Sequence, residues 1–329
     1  IKVIGVGGGG NNAVNRMIAA QLEGVEYWSI HNSYKKPNTN PLKNILVIGS
    51  VTDHSLELGS IPLAGQKSAE ERIDDIRQTV SNSDMVIVTA GMGGGIGTGA
   101  APIVAKTAKE SGALTIGIVT KPFLFEGRVT MKYAEEGILE MKKSVDALIV
   151  ISNDNLLHVV DQKTSLKDAF HLVDDILYQT VHGISTLITK VGLINADFAD
   201  IQTILRDSGT AFVGIGQASG ENRTTIAVQK ALASPLLTGL FKGAKRILFN
   251  VAGSEHLTLS EINEAAELIQ SKAFEDAHII WGTIIDETLK DDIVITVVAS
   301  GFDESGHSIS KSLDDMDSEE LIPNFIMSR

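Results

Sequence analysis

Two glycine-rich turns, each placed directly after an apolar run, restrict what this chain can fold into more than any other feature. The first reads Gly5-Val6-Gly7-Gly8-Gly9-Gly10-Asn11-Asn12 and follows Val3 and Ile4. The second reads Gly91-Met92-Gly93-Gly94-Gly95-Ile96-Gly97-Thr98-Gly99 and follows Met85-Val86-Ile87-Val88. Each predicts a strand ending in a turn that only glycine can make, with a helical pattern behind it. Such a turn lets backbone N–H groups approach an anion closely, and the helix N-terminus adds partial positive charge. One such loop is a weak signal. Two, at the ends of two strands, predict one phosphate chain gripped from both sides.

The pattern around them is alternating β and α. Strands are expected at Lys2–Gly5, Val25–Ile30, Ile45–Ile48, Met85–Thr89, Leu114–Val119 and Ala147–Ile151. Helical spacing of apolar residues marks Asn12–Gln21, Ala69–Val80, Pro102–Ser111 and Met131–Lys142. Val/Ile-rich strands separated by helices imply an α/β, Rossmann-like parallel sheet covered on both faces, with ligands at the carboxyl ends of its strands. A helical pattern from Leu166 to about Lys190 is too long for a local crossover and predicts a central helix bridging two units. Beyond it, strands at Arg246–Ala252, His278–Ile285 and Asp292–Ala299 and a helix at Ser260–Ala273 predict a smaller α/β domain. The expected division is 1–165, 166–205, 206–302 and 303–329. Residues 303 to 320 hold seven acids and one base, a solvated linker before the apolar peptide Leu321-Ile322-Pro323-Asn324-Phe325-Ile326.

Composition excludes several functions. With 28 basic and 41 acidic residues the net charge is −13, which argues against a nucleic-acid or anionic-membrane surface. There is no cysteine, so thiolate metal sites and cysteine nucleophiles are out, and the eight histidines show no metal-ligand spacing. No apolar run approaches the roughly 20 residues of a transmembrane helix, so no direct membrane insertion is expected. The sequence opens on a strand, and no targeting segment is expected. A reducing compartment follows: bacterial cytosol, or the interior of an organelle derived from it.

Neither common phosphate-binding motif fits the turns. A dinucleotide fold wants an acid at the end of the second strand, which here ends Ser29-Ile30-His31-Asn32. A Walker loop wants Lys-Ser/Thr after its glycines, and none is present. Backbone amides and loop hydroxyls must hold the phosphates, with a metal ion such as Mg2+ supplying charge.

The turn GMGGGIGTGAAP resembles the tubulin signature in the form found in FtsZ, the tubulin-like bacterial and plastid division GTPase, whose usual form is GGGTGTG. The resemblance continues through Pro122-Phe123-Leu124-Phe125-Glu126-Gly127-Arg128, Ser152-Asn153-Asp154, Gly192 to Asp200 (GLINADFAD) and Ser234-Pro235-Leu236-Leu237. It implies the tubulin/FtsZ architecture, GTP or GDP as ligand with Mg2+ at the phosphates, and head-to-tail polymerisation into filaments of a division ring. Residue by residue, it implies that Gly8, Gly9, Gly10, Asn11 and Asn12 wrap the phosphates together with Gly94, Gly95, Ile96, Gly97 and Thr98. Glu126 would bond the ribose, with Thr130 and Asn153 also at the nucleotide. Phe170 would stack on guanine and Asp174 would accept from its ring N–H and amino group. Asn195, Asp197 and Asp200 would form a loop that enters the neighbouring subunit's pocket and orients the attacking water.

Read without the family, Asp197 and Asp200 equally fit a helix cap, and Phe170 with Asp174 fits core packing plus a surface acid. Against the family pattern, Ile96 replaces a threonine, Thr130 a basic residue, and the stretches at 32–37 and 55–62 differ. These changes gather on one side of the pocket while the acidic loop is intact. That leaves a second expectation open: a paralogue that joins or regulates a standard filament while hydrolysing GTP weakly. The terminal peptide resembles the family's partner-binding tail and implies a membrane-tether protein as partner, with the chain in the cytoplasm at the division site or in a plastid stroma.

Overall fold

The computed structural model describes residues 1–20, 22, 24–32, 44–49, 61–156, 164–189, 197–233 and 243–302. Its first half alternates as expected: β1 (Lys2–Val6), α1 (Gly7–Ala19), β2 (Glu26–His31), β3 (Asn44–Val47), α2 (Pro62–Glu70), α3 (Ile73–Val80), β4 (Met85–Gly91), α4 (Gly95–Glu110), β5 (Leu114–Lys121), α5 (Arg128–Ser144), β6 (Ala147–Ser152) and α6 (Asn153–Leu156). The second half holds α7 (Leu166–Thr189), α8 (Phe198–Leu205), β7 (Gly209–Ser219), α9 (Arg223–Leu232), β8 (Arg246–Gly253), α10 (Leu259–Lys272), β9 (His278–Ile285) and β10 (Asp292–Ser300).

Among the described residues the strands form one sheet in the order β3-β2-β1-β4-β5-β6-β7-β10-β8-β9. Only β10 runs against the rest: it pairs antiparallel with β7 and β8, while every other pairing is parallel. The halves of the sheet join through two residue pairs, Ala147↔Gly209 and Leu148↔Thr210. Strand alternation sorts β4 between two apolar layers. Met85 and Ile87 enter the cluster under α1 and α7, whereas Val86 and Val88 enter the cluster under α3, α4 and α5. The first cluster also takes Leu248 and Val298 from β8 and β10, so α7 packs on both halves, as a bridging helix must.

Four elements had no counterpart in the sequence pattern: α2, α6, β7 and α9. The reason is clearest for β7, whose pattern is broken by glycine. A Cβ at Gly216 would stand 1.9 Å from the Ala227 carbonyl oxygen, so glycine is there to let α9 lie directly on the strand. Helices α1 and α4 also start earlier than Asn12 and Pro102, inside the glycine runs, and Pro102 lies within α4. Packing overrides the poor helix propensity of glycine at both starts.

Candidate functional site

The carboxyl ends of β1 and β4 bring the two glycine turns into contact. Gly7 and Gly93 take the left-handed backbone, φ 72° and 106°, that turns each chain out of its strand. A Cβ at Gly7 would stand 2.9 Å from the Gly97 N, and one at Gly9 would stand 3.3 Å from the N and Cα of Gly91. Gly10 and Gly97 are glycine because helix and strand cross there: a Cβ on either would sit 2.3 Å from the carbonyl oxygen of Thr89 or Gly91. Gly8 and Gly94 are different. Both are exposed, both have ordinary φ, and a Cβ on either meets no atom of the described residues within 4 Å. Nothing among the described residues requires glycine at these two positions, and both lie at the first turns of α1 and α4, where amide N–H groups have no helical partner.

Side chains fix the turns from behind. Asn11 is held by the buried Ser29, whose hydroxyl donates to Asn11 Oδ1 at 2.7 Å; Asn12 is exposed. The Thr98 hydroxyl accepts from the Gly93 N–H at 2.8 Å and closes the second turn. Ile96 is 6% exposed and its side chain belongs to the apolar layer that also holds Val6, Val88 and Ala100, with its Cβ 3.5 Å from a Cβ built on Gly7 of the first turn. Thr130 abuts the same turn, at 2.6 Å from a Cβ on Gly93, and its hydroxyl donates to Glu126 O.

Next to the turns stands an aromatic group. The buried Phe123 stacks on Phe125 at 4.9 Å and meets the edge of Phe170 at 5.5 Å. Glu126, exposed, accepts from the Phe123 N–H with Oε1 at 2.9 Å. Phe170 and Asp174 lie one turn apart on α7 and share a face. Burial raises the Asp174 carboxyl to about 6, with Asp175 adding to the rise and His171 and Arg16 opposing it. Arg16 of α1 is fixed nearby by Asp175 at 2.5 Å. Asn153 opens α6 at the end of β6; it is 5% exposed and its Oδ1 has no hydrogen-bond partner among the described residues. An unsatisfied buried oxygen at the ligand edge of a parallel sheet is an acceptor open to a ligand.

Asp197 and Asp200 are elsewhere. They form a reciprocal capping box at the start of α8, each accepting the other's backbone N–H at 2.9 Å with one oxygen. The helix α7, 24 residues or about 36 Å long, leads from the aromatic group to Thr189, whose side chain lies against Gly24 at the other edge of the sheet. The end of α8 meets that same edge, where Ser208 and Gly209 donate to the carbonyl of Asp146 just before β6. The structure thus brings the turns, Glu126, Thr130, Asn153, Phe170 and Asp174 to one edge and places the acid pair at the opposite one. Asn195 and residues 33–37, 55–60 and 303–329 lie outside the described residues. Ser29 and Arg16 were not legible as site residues, because each acts through a contact distant in sequence and carries no local motif.

Comparison with known proteins identifies the family and the fold. Residues 1–161 match the Tubulin/FtsZ family, GTPase domain, and residues 209–303 match the FtsZ family, C-terminal domain. An empty FtsZ dimer from M. jannaschii is similar at 40% identity and TM-score 0.84, over 91% of this chain and 87% of that one. CetZ2 from Haloferax volcanii, a GTPgS-bound protofilament, shares the fold at TM-score 0.80 and 16% identity, over 93% of this chain and 94% of that one. CetZ1 of the same organism, a GDP-bound monomer, does so at 0.78 and 22%, over 92% and 94%. The chain belongs to the Tubulin/FtsZ family and carries both its GTPase domain and the FtsZ C-terminal domain.

Proposed function

We propose that this protein binds GTP at the glycine turns, assembles head-to-tail into filaments of a division ring, and hydrolyses each GTP at a site shared by adjacent subunits. The observation that carries the proposal is the separation of the acid pair from the turns by the full height of the sheet. A head-to-tail contact, heterologous and non-closing, sets the lower edge of one subunit on the upper edge of the next. Asp197 and Asp200 then face a neighbour's phosphates, and a carboxylate oxygen not used in the capping box can orient water. FtsZ dimers and a CetZ protofilament among similar structures support self-assembly.

In this reading Gly8 and Gly94 are bare so that phosphate oxygens can come up against the backbone. Phe170 offers guanine a ring face, Glu126 keeps Oε2 for the ribose, and Asn153 Oδ1 gains its missing donor. Mg2+ belongs with the phosphates: among the described residues no group of three His, Asp or Glu side chains would hold a metal, which leaves phosphate oxygens as its principal ligands. The ion would neutralise charge on the transferring phosphoryl group. Phosphate release by the purified protein across a range of concentrations tests the proposal, since a shared site predicts turnover only above the assembly threshold. Constant turnover per subunit at every concentration would refute it.

Asp174 makes the base preference sensitive to pH. Guanine donates to a carboxylate, and protonation replaces an acceptor with a donor. With the carboxyl raised to about 6, the preference for GTP over ATP should hold at pH 7.5 and shrink as pH falls through 6. Taking the ratio cancels the titration of the phosphates themselves. Asp174→Asn should show a weak preference that no longer varies with pH; a pH-dependent preference in that variant would remove Asp174 from the base site.

A second reading, a paralogue with weak activity that co-assembles with a standard filament protein, draws on Thr130. Its hydroxyl is occupied by Glu126 O and supplies no positive charge to the pocket. Phosphate release measured alone and in mixture separates the readings: a paralogue is silent alone and changes the partner's rate. The proposed setting is the cytoplasm at the division site, or a plastid stroma, with residues 322–325 docking a membrane tether. Deleting 319–329 should abolish recruitment and spare polymerisation, and intact recruitment would sink that assignment.

A further inference from the structure

The acid-bearing helix α8 is anchored at the end away from its acids. Ser300 Oγ of β10 donates to Ile204 O at 2.6 Å, and Arg246 of β8 donates to Arg206 O at 3.2 Å. These are carbonyls that a helix C-terminus leaves unsatisfied, and the second half of the chain supplies their partners. The first half grips the next residue. Asp207, in left-handed backbone at φ 48°, accepts from Lys109 Nζ at 2.7 Å. The same ammonium stands 3.2 Å from Oδ1 of Asp146 and donates to Val145 O at 3.1 Å. Asp146 is fully buried; its Oδ2 takes the Thr115 N–H at 2.9 Å, and its carbonyl takes Ser208 and Gly209. Burial pulls the Lys109 pKa down, but its bonds to Asp207 and Asp146 outweigh that and leave it raised. Lys109 in turn holds Asp207 below its usual range. One ammonium is thus kept charged between a buried carboxylate of the GTPase half and the residue that ends α8.

Lys109 also lies in the last turn of α4, and α4 begins at Gly95 in the second glycine turn. Its 16 residues span about 24 Å, from the edge that holds the turns to the edge that holds α8. The acids lie one helix length away from the clamp, on the order of 12 Å. A tilt of about 5° at the base would displace them by about 1 Å, and a misplacement of that size can cost up to about a hundredfold in rate.

We propose that Lys109 is a positioning residue: through Asp207 and Asp146 it fixes the base of α8 against α4 and so sets where Asp197 and Asp200 stand in the neighbour's pocket. The clamp itself is a property of the single subunit, and its consequence for turnover rests on the shared-site reading above. Bridging a phosphate turn and the acid helix by one strut also puts the clamp where a change at the subunit's own nucleotide would be felt.

The absence of cysteine lets spin labels be placed at will. A label pair at Lys106 and Ala199, both exposed, reads the distance from α4 to the first turn of α8 in the full chain. Asp207→Gly suits the left-handed backbone and removes the side chain that Lys109 holds, and Asp207→Asn, which also tolerates that backbone and loses only the charge, controls for the added freedom of glycine; Lys109→Arg keeps the charge. The expected result is a narrow distance distribution in the parent chain and in Lys109→Arg, and a broad or displaced one in Asp207→Gly. Filament hydrolysis by Asp207→Gly should fall roughly ten- to a hundredfold at unchanged GTP affinity, with Lys109→Arg close to the parent. An unchanged distribution in Asp207→Gly overturns the clamp. A broadened distribution with parental turnover overturns its role in positioning, provided Asp200→Ala is inactive. If the distribution broadens and Asp200→Ala remains active, the clamp stands and the shared-site reading fails.

Discussion

Asp200→Ala should leave GTP binding by the monomer nearly unchanged while hydrolysis in filaments falls by at least about a hundredfold, the scale expected when a positioned carboxylate is removed from a proton- or water-orienting role. The direction follows from where α8 sits. Its acids are at the edge of the sheet opposite the glycine turns, beyond the 24 residues of α7, and cannot reach their own subunit's phosphates. The loss therefore falls on the transition state and spares ground-state binding. The capping box sets a second, smaller effect: Asp200 also accepts the Asp197 N–H, so removing it should lower stability by about 1 kcal/mol. Asp200→Asn separates the two, because it can still accept at the cap while losing the charge. GTP titration of the monomer and phosphate release from filaments are the measurements, and affinity falling in step with activity would assign Asp200 to its own pocket or to the fold.

The next largest effect is a contrast between glycines only two positions apart. Gly10→Ala places a methyl 2.3 Å from the Thr89 carbonyl oxygen, backbone against backbone, where no rotamer can relieve it. It should destabilise the chain by more than about 2 kcal/mol and lower Tm by several degrees. Gly8→Ala meets no atom of the described residues and replaces a helical glycine, so it should hold or raise stability by up to about 1 kcal/mol. Its cost falls on the ligand: the methyl occupies the space proposed for phosphate, and GTP affinity should drop tenfold or more, about 1.4 kcal/mol. Calorimetry and nucleotide titration on the two variants decide the matter. Full GTP affinity in Gly8→Ala would mean the bare position faces no ligand.

The same contrast shows how far the sequence carries. The two runs of glycine announced two strand-ending turns acting together, and the turns do meet at the carboxyl edge of the sheet, where alternating β and α placed the site proposed for phosphate. What the runs did not disclose is that their glycines serve three ends. Gly7 and Gly93 supply φ, Gly10 and Gly97 supply close helix–strand approach, and only Gly8 and Gly94 are left bare. Each end depends on an atom distant in sequence. The central helix was legible because Leu166 to Thr189 keeps its apolar spacing for its whole length. Strand β7 was not, since Gly214 and Gly216 break the alternation, the latter to let α9 lie on the strand. Likewise, Asp197 and Asp200 could be read from sequence either as a cap or as catalytic acids. They do form the cap, and the position of that cap at the far edge is what recommends the second role as well. The Lys109, Asp146 and Asp207 cluster had no local signature, because its members come from α4, the start of β6 and the end of α8.

The split site is tested most directly by mixing Asp200→Ala, with a sound pocket and no acid, and Gly8→Ala, with sound acids and a weakened pocket, at a GTP concentration that fills the first pocket and leaves the second largely empty, so that each variant is nearly inactive alone. In random head-to-tail assembly one junction in four pairs a filled pocket with a complete acid helix, so phosphate release should return to roughly a quarter of the parent rate. A mixture no more active than the sum of its parts would show that each subunit hydrolyses its own GTP, and the shared site would be contradicted.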